Sequence, residues 1–186
     1  MSKAVMLSIR PKWCAKIASG EKTIEVRKTK PKLETPFKCY IYCTRDKHLA
    51  FMQNQTGTNL IACMDVNAAI PVGGAIGNGK VIGEFICDRI YELAPLNHAP
   101  DDVEKQACLT REEIVNYLKG TGYGWHISDL RIYDTPKELS EFKTLCRVDA
   151  DCCACPYYNY IKMDCDGRVI GRPPQSWCYV EAMKDD

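Results

Sequence analysis

The sequence has no run of about 18 uncharged apolar residues, so it offers no candidate for a membrane-spanning helix. It has no internal repeat and no low-complexity tract, and its composition excludes collagen, coiled coil and disorder. The opening residues meet Arg10 and Lys12 too soon for a secretory signal, so the expectation is a soluble, cytoplasmic protein with no membrane partner. Net charge is nearly absent as well, at +1. What is present fits one globular domain over residues 1–186, with 46% hydrophobic and 26% charged residues. A chain this long buries roughly two thirds of its unfolded surface and needs no disulfides to fold.

The near-zero charge conceals an uneven distribution. Residues 1–48 hold 12 Lys/Arg against 4 Asp/Glu, a net of +8, and the remainder holds 13 against 20, a net of −7. A basic first quarter suits a phosphate-contacting surface. The alternative is that these lysines are solvated and spread around the molecule, because neighbours on a strand need not share a face. Of twelve cysteines, seven (Cys14, Cys39, Cys43, Cys63, Cys87, Cys108, Cys178) are scattered through apolar or mixed segments, where a free thiol behaves as a small buried hydrophobe.

Ala4–Ile9 reads as a buried strand. Pro11 opens a short helix carrying Trp13, Cys14, Ile17 and Ala18, and Gly20 ends it. Residues 23–27 alternate, so Glu25 and Arg27 share one face of a strand. Phe37–Thr44 is a strand rich in aromatic and β-branched residues. Residues 45–78 show little periodicity and read as an insertion or long loop. Gly79–Leu93 returns to a strand, with Gly83 at a bulge or bend. Thr110, with Glu113 three residues on, opens a capped helix that stops at Gly120. Trp125–Tyr133 and Ser176–Ala182 are further strands, the last one buried with Trp177 in the core. Five to six strands with two or three helices and no βαβ alternation predict an α+β fold, a small mixed β-barrel with helices outside it.

Gly20, Lys22, Glu25 and Arg27 complete a pattern G-x-K-x-x-E-x-R between the first helix and the next strand. This segment resembles the ASCH family of PUA-like β-barrels, as do the strand at 79–93, the stretch 125–130 and the strand around Trp177. The resemblance covers most of residues 4–142 and 176–182, and leaves out 45–78 and a Cys-rich insertion at 146–168. On chemistry alone, Lys22 supplies a point charge, Arg27 a planar donor fork and Glu25 an acceptor for an exocyclic amine. The competing reading is a solvent-facing Glu25–Arg27 salt bridge, worth at most about 1 kcal/mol. Arg10 and Trp13 flank the cluster, and Trp13 either stacks on a base or anchors its helix on the barrel.

The resemblance implies two functional classes. One is a module binding RNA or a modified nucleotide in a basic cleft formed by Arg10, Trp13, Lys22, Glu25 and Arg27, with no cofactor required. The other is an amidohydrolase acting on an N4-acylated cytidine-like nucleoside. Similar enzymes use the motif Lys, a Thr at the position of Glu25 and a Glu just ahead of the later helix. Here Lys22 is kept and Glu104 stands near that helix, so Lys22, Glu25 and Glu104 are the catalytic candidates. The hydroxyl nucleophile is replaced by Glu25, and Thr23 is expected to face away from it.

The remaining five cysteines crowd into the Cys-rich insertion. Cys146, Cys152 (or Cys153), Cys155 and Cys165 would satisfy a tetrahedral, structural zinc site. Only one C-x-x-C knuckle is present, so a redox pair or free thiols are the alternatives.

Overall fold

The computed structural model describes residues 3–54, 61–70, 72–93, 99–145 and 168–183. In chain order these form β1 (Lys3–Ile9), α1 (Pro11–Ala18), β2 (Ile24–Arg27), β3 (Phe37–Cys43), β4 (Leu49–Asn54), β5 (Ile61–Asp65), β6 (Gly74–Ile76), β7 (Val81–Cys87) and β8 (Ile90–Glu92). There follow α2 (Val103–Ala107), α3 (Arg111–Leu118), β9 (Tyr123–His126), β10 (Ser128–Lys137), a 3-10 turn at Leu139–Glu141, β11 (Lys143–Thr144), β12 (Arg168–Val169) and β13 (Trp177–Glu181). The expected α+β class with two or three helices is what the chain adopts. Its strands outnumber the five or six expected. They pair as a seven-stranded sheet in the order β10-β7-β3-β1-β13-β11-β12 and two three-stranded sheets, β2-β9-β8 and β5-β4-β6, rather than as one closed barrel.

The seven-stranded sheet is buried on both faces at its centre. Val5, Leu7 and Ile9 of β1, with Phe37, Cys39 and Ile41 of β3, face one apolar cluster that includes Phe51, Phe85 and Trp125. Ala4 and Met6, with Tyr40 and Tyr42, face the other, against Phe142 and Val180. Two-sided burial is why β1 and β3 read as continuous apolar runs rather than alternating ones. A third cluster joins Ile24 and Val26 of β2 to Val103, Ala107, Ile114 and Leu118 of the helices. This contact seats α2 and α3 beside β2, on the side where the motif lies.

The bend expected at Gly83 is present. The β3–β7 register runs Ile41↔Gly83 and then Tyr42↔Val81, and β10 slips against β7 on either side of the same residue. A Cβ at Gly83 would stand 2.5 Å from the Arg131 carbonyl oxygen and 3.1 Å from Ile132 Cα, so backbone would have to move. Gly83→Ala is therefore expected to cost about 1–3 kcal/mol, read as a lower urea midpoint at unchanged slope.

Two readings of the sequence need correction. Residues 45–78 carry three strands among their described residues, and Phe51 is fully buried in the main core. Ala50, Phe51, Met52 and Gln53 are all buried, which removes the alternation that would have marked a strand. The final strand is only half-buried apart from Val180. Trp177 is partly exposed and donates its Nε1–H to Thr29 Oγ1 at 2.9 Å.

Candidate functional site

The turn after α1 sets Lys22 in place through its own backbone, whose N–H donates to Lys16 O at 2.9 Å. β2 then pairs antiparallel with β9, with Glu25 opposite Trp125 and Arg27 opposite Tyr123. Ile24 and Val26 turn toward the helices, so Glu25 and Arg27 share the other face as the alternation predicts.

That face is largely shielded from solvent. Lys22, Glu25 and Arg27 are 2%, 7% and 6% exposed, which disposes of a surface salt bridge. Glu25 lies between the two cations, with Oε2 3.4 Å from Lys22 Nζ and Oε1 3.0 Å from Arg27 Nη2. Two positive charges and one negative leave the buried triad with a net charge of +1. Burying such a group is costly unless the remaining donors are satisfied. Lys22 Nζ also donates to Ala107 O at 2.7 Å, at the C-terminal end of α2 where carbonyls lack helical partners. Arg27 donates to Ser8 O at 2.8 Å and to Ser176 O and Oγ, each at 3.2 Å. Its Nε alone has no partner.

Arg27 therefore differs from its expected role as an open donor fork. Its terminal nitrogens clamp β1 to the segment entering β13, and they hold Glu25 in position. Lys22 has used two of its three donor directions. The triad offers a ligand one ammonium proton and the free lone pairs of the Glu25 carboxylate.

A cleft of about 400 Å³ opens over the triad, lined by Arg10, Trp13, Lys22, Glu25 and Arg27 together with Glu113 and Tyr117. The structure brings together all five residues expected to bind ligand. Trp13 anchors its helix by packing against the main core, and it also lines the cleft, with Lys22 Nζ 5.2 Å and Lys12 Nζ 4.8 Å from its ring. Arg10 is exposed at the N-cap of α1, and Lys28 Nζ lies 5.4 Å from the Tyr117 ring. The basic first quarter thus places Arg10, Lys12 and Lys28 around this cleft or on its aromatic walls.

The enzyme candidates are only partly assembled. Glu104 lies on α2, half-exposed and paired with Arg111 at 3.6 Å, and it does not line the cleft. Glu113 does, and it escaped the sequence reading as a site residue although its capping role was legible. Its carboxylate accepts from Thr110 N–H at 2.8 Å and the Thr110 hydroxyl at 3.2 Å. Those hydrogen bonds hold its carboxyl below the ordinary glutamate range. Tyr117 stands four residues further along α3, on the same face as Glu113 and beside the buried face of Ile114 and Leu118. That spacing was the signal for both. Thr23 Oγ1 donates to Gln106 Oε1 at 3.3 Å and is absent from the cleft, as the alternation required.

Of the scattered cysteines, Cys14, Cys39, Cys43 and Cys87 are buried and Cys63, Cys108 and Cys178 partly so. Burial pushes the thiols of Cys14 and Cys39 far up and that of Cys87 to about 12, so these are inert core residues. No group of His, Cys, Asp and Glu placed to hold a metal occurs among the described residues. The proposed zinc ligands Cys146, Cys152, Cys155 and Cys165 lie outside the described residues. Among the described residues no helix is long and apolar enough to cross a membrane.

No protein-family model matches the chain, and no curated protein does. Solved structures do. An ASCH protein from Zymomonas mobilis superposes at a TM-score of 0.57 with 17% identity, over 96% of this chain and 87% of that one. A Tyr-to-Phe variant of it gives 0.57 at 18% identity, over 97% and 91%. The chain has an ASCH-like fold. A Ser-to-Ala variant of the same protein agrees, at 0.56 and 16% identity over 96% and 88%. Identity this low speaks for the ASCH fold and not for a shared activity, which has to be argued from this chain's own cleft.

Proposed function

We propose that this ASCH-like chain binds RNA or a modified nucleotide, with the base entering the cleft above Lys22 and Glu25. The observation that carries the reading is the buried triad of net +1 in a cleft that the aromatic side chains of Trp13 and Tyr117 also line. A base presents a flat ring to stack, acceptors for the remaining Lys22 proton and, in three of the four bases, an exocyclic amine for the Glu25 carboxylate. Arg10, Lys12 and Lys28 supply sequence-independent attraction to its phosphates.

Hydrolysis of an acylated nucleoside has less support. Glu25 stands where the hydroxyl nucleophile is required, Glu104 is turned to Arg111, and Lys22 serves as a donor to a carboxylate and a carbonyl. The experiment is a titration of single-stranded RNA and nucleoside 5′-monophosphates, alongside an assay of N4-acetylcytidine turnover. Saturable, salt-sensitive binding that Lys22→Ala weakens about tenfold or more, without turnover, supports the binding reading. Turnover that Lys22→Ala abolishes replaces it with the enzyme.

A further inference from the structure

A second cavity adjoins the first. It measures about 590 Å³, and both lie within the range of about 300–1,000 Å³ typical of small-molecule sites. The two share Ser8, Thr44 and Gln175 in their walls. This common lip is polar, made of a serine, a threonine and a glutamine. It is also fixed in position. Ser8 N–H donates to Ser176 O at 2.9 Å, Ser8 Oγ–H donates to Pro174 O at 2.5 Å, and Arg27 reaches both Ser8 and Ser176 from the triad.

The second cavity has its own cation. Arg45 is exposed and has no ion-pair partner among the described residues. The carboxylate that shares the cavity, Glu138, is already held by Lys80 at 2.8 Å. Arg45 lies along Gly79, whose φ of +81° is in the left-handed region. A Cβ there would come within 3.1 Å of Arg45 Nε and 3.4 Å of its Cγ, so the glycine leaves room for the guanidinium. Tyr42, Ser140, Pro173 and Pro174 complete a wall of hydroxyls and apolar rings.

We infer that this cavity is a second subsite, which takes the nucleotide 3′ to the one in the triad cleft, with the connecting phosphodiester crossing the Ser8–Thr44–Gln175 lip and facing Arg45. The inference rests on the nucleotide-binding reading and sharpens it: the ligand is a single strand of at least two nucleotides, not a free nucleoside. A guanidinium suits the task because its planar fork matches phosphate oxygens.

The test is a calorimetric titration of the four ribonucleoside 5′-monophosphates and of the corresponding 5′-phosphorylated homodinucleotides. Each is titrated into the wild-type protein and into Arg45→Ala, whose exposed position leaves the fold undisturbed. The dinucleotide should bind about tenfold more tightly than its mononucleotide, the worth of one charge-assisted contact. Arg45→Ala should erase that increment and leave mononucleotide affinity unchanged. Equal affinity for the two lengths, with mononucleotide binding intact, overturns the second subsite and spares the nucleotide reading. Loss of mononucleotide binding in Arg45→Ala overturns it also, because the two cavities would then be one site. Absence of binding by either length in the wild type removes the nucleotide reading and the subsite with it.

Discussion

Glu25→Ala is expected to destabilise the protein by about 3–5 kcal/mol, because it leaves two buried cations without their shared counter-charge. For a chain of this size each kcal/mol lowers the melting temperature by roughly 2–4 °C, so a fall on the order of 10 °C should be visible by thermal denaturation. The size of the effect follows from burial. Lys22, Glu25 and Arg27 are each less than a tenth exposed, and water does not screen the repulsion that the substitution creates. Removing one cation is milder: Lys22→Met leaves Glu25 paired with Arg27 at 3.0 Å, and the triad becomes a neutral pair. The double substitution Lys22→Met with Glu25→Ala should lose clearly less than the sum of the single losses, since the two residues are in direct contact. Additive losses, or a Glu25→Ala protein that melts with the wild type, would mean that the three charges are not coupled as described.

The second large effect concerns binding. Lys22→Met should weaken nucleotide affinity about 10- to 100-fold, the range for losing a hydrogen bond from a charged donor. Lys22→Arg should not restore it. The ammonium fits a pocket 2.7 Å from Ala107 O, and a guanidinium has neither the room nor the compact charge to replace it. Salt separates this contact from those at the rim. Each phosphate neutralised by a surface cation contributes about −0.7 to the slope of log affinity against log salt for a single strand, so Lys12→Ala or Lys28→Ala should flatten that slope. Lys22→Met should lower affinity and leave the slope nearly unchanged if its proton goes to a base acceptor. A flattened slope would place a phosphate on the floor of the cleft instead.

The contrast between Arg27 and Lys22 shows what the sequence could and could not reveal. The alternation of β2 puts Glu25 and Arg27 on one face, a local rule that needs nothing beyond the strand itself. The partners that occupy Arg27 are Ser8 and Ser176, the latter 149 residues away, and no local pattern announces such a contact. Arg27 therefore read as a ligand-binding fork when most of its donors hold the frame of the site. The same division separates Glu113 from Glu104. The capping box of α3 was plain from Thr110 and Glu113, but it is the packing of α3 beside β2 that turns Glu113 and Tyr117 into the cleft. Glu104 sits on a separate short helix, which ends at Cys108 in a left-handed conformation and leaves the Glu104 side chain beside Arg111.

Burial had a similar effect on the fold. The bulge at Gly83, the short α1 and the two-faced β3 were all legible, since glycine, proline and apolar runs act over a few residues. β4 was not, because both of its faces are covered and its sequence carries no period. The excess of strands over the five or six expected comes largely from this segment and from short pieces such as β8, β11 and β12, each only two or three residues long.

A base bound over the Lys22–Glu25 pair would meet Trp13 and Tyr117 in the walls of the same cleft. The most direct test of that placement is a crystal structure of the protein with a bound 5′-phosphorylated mononucleotide. Base density is expected within hydrogen-bond distance of Lys22 Nζ and Glu25, stacked on at least one of the two aromatic rings, with the phosphate toward Arg10, Lys12 or Lys28. A mononucleotide bound elsewhere while this cleft holds only water would contradict it.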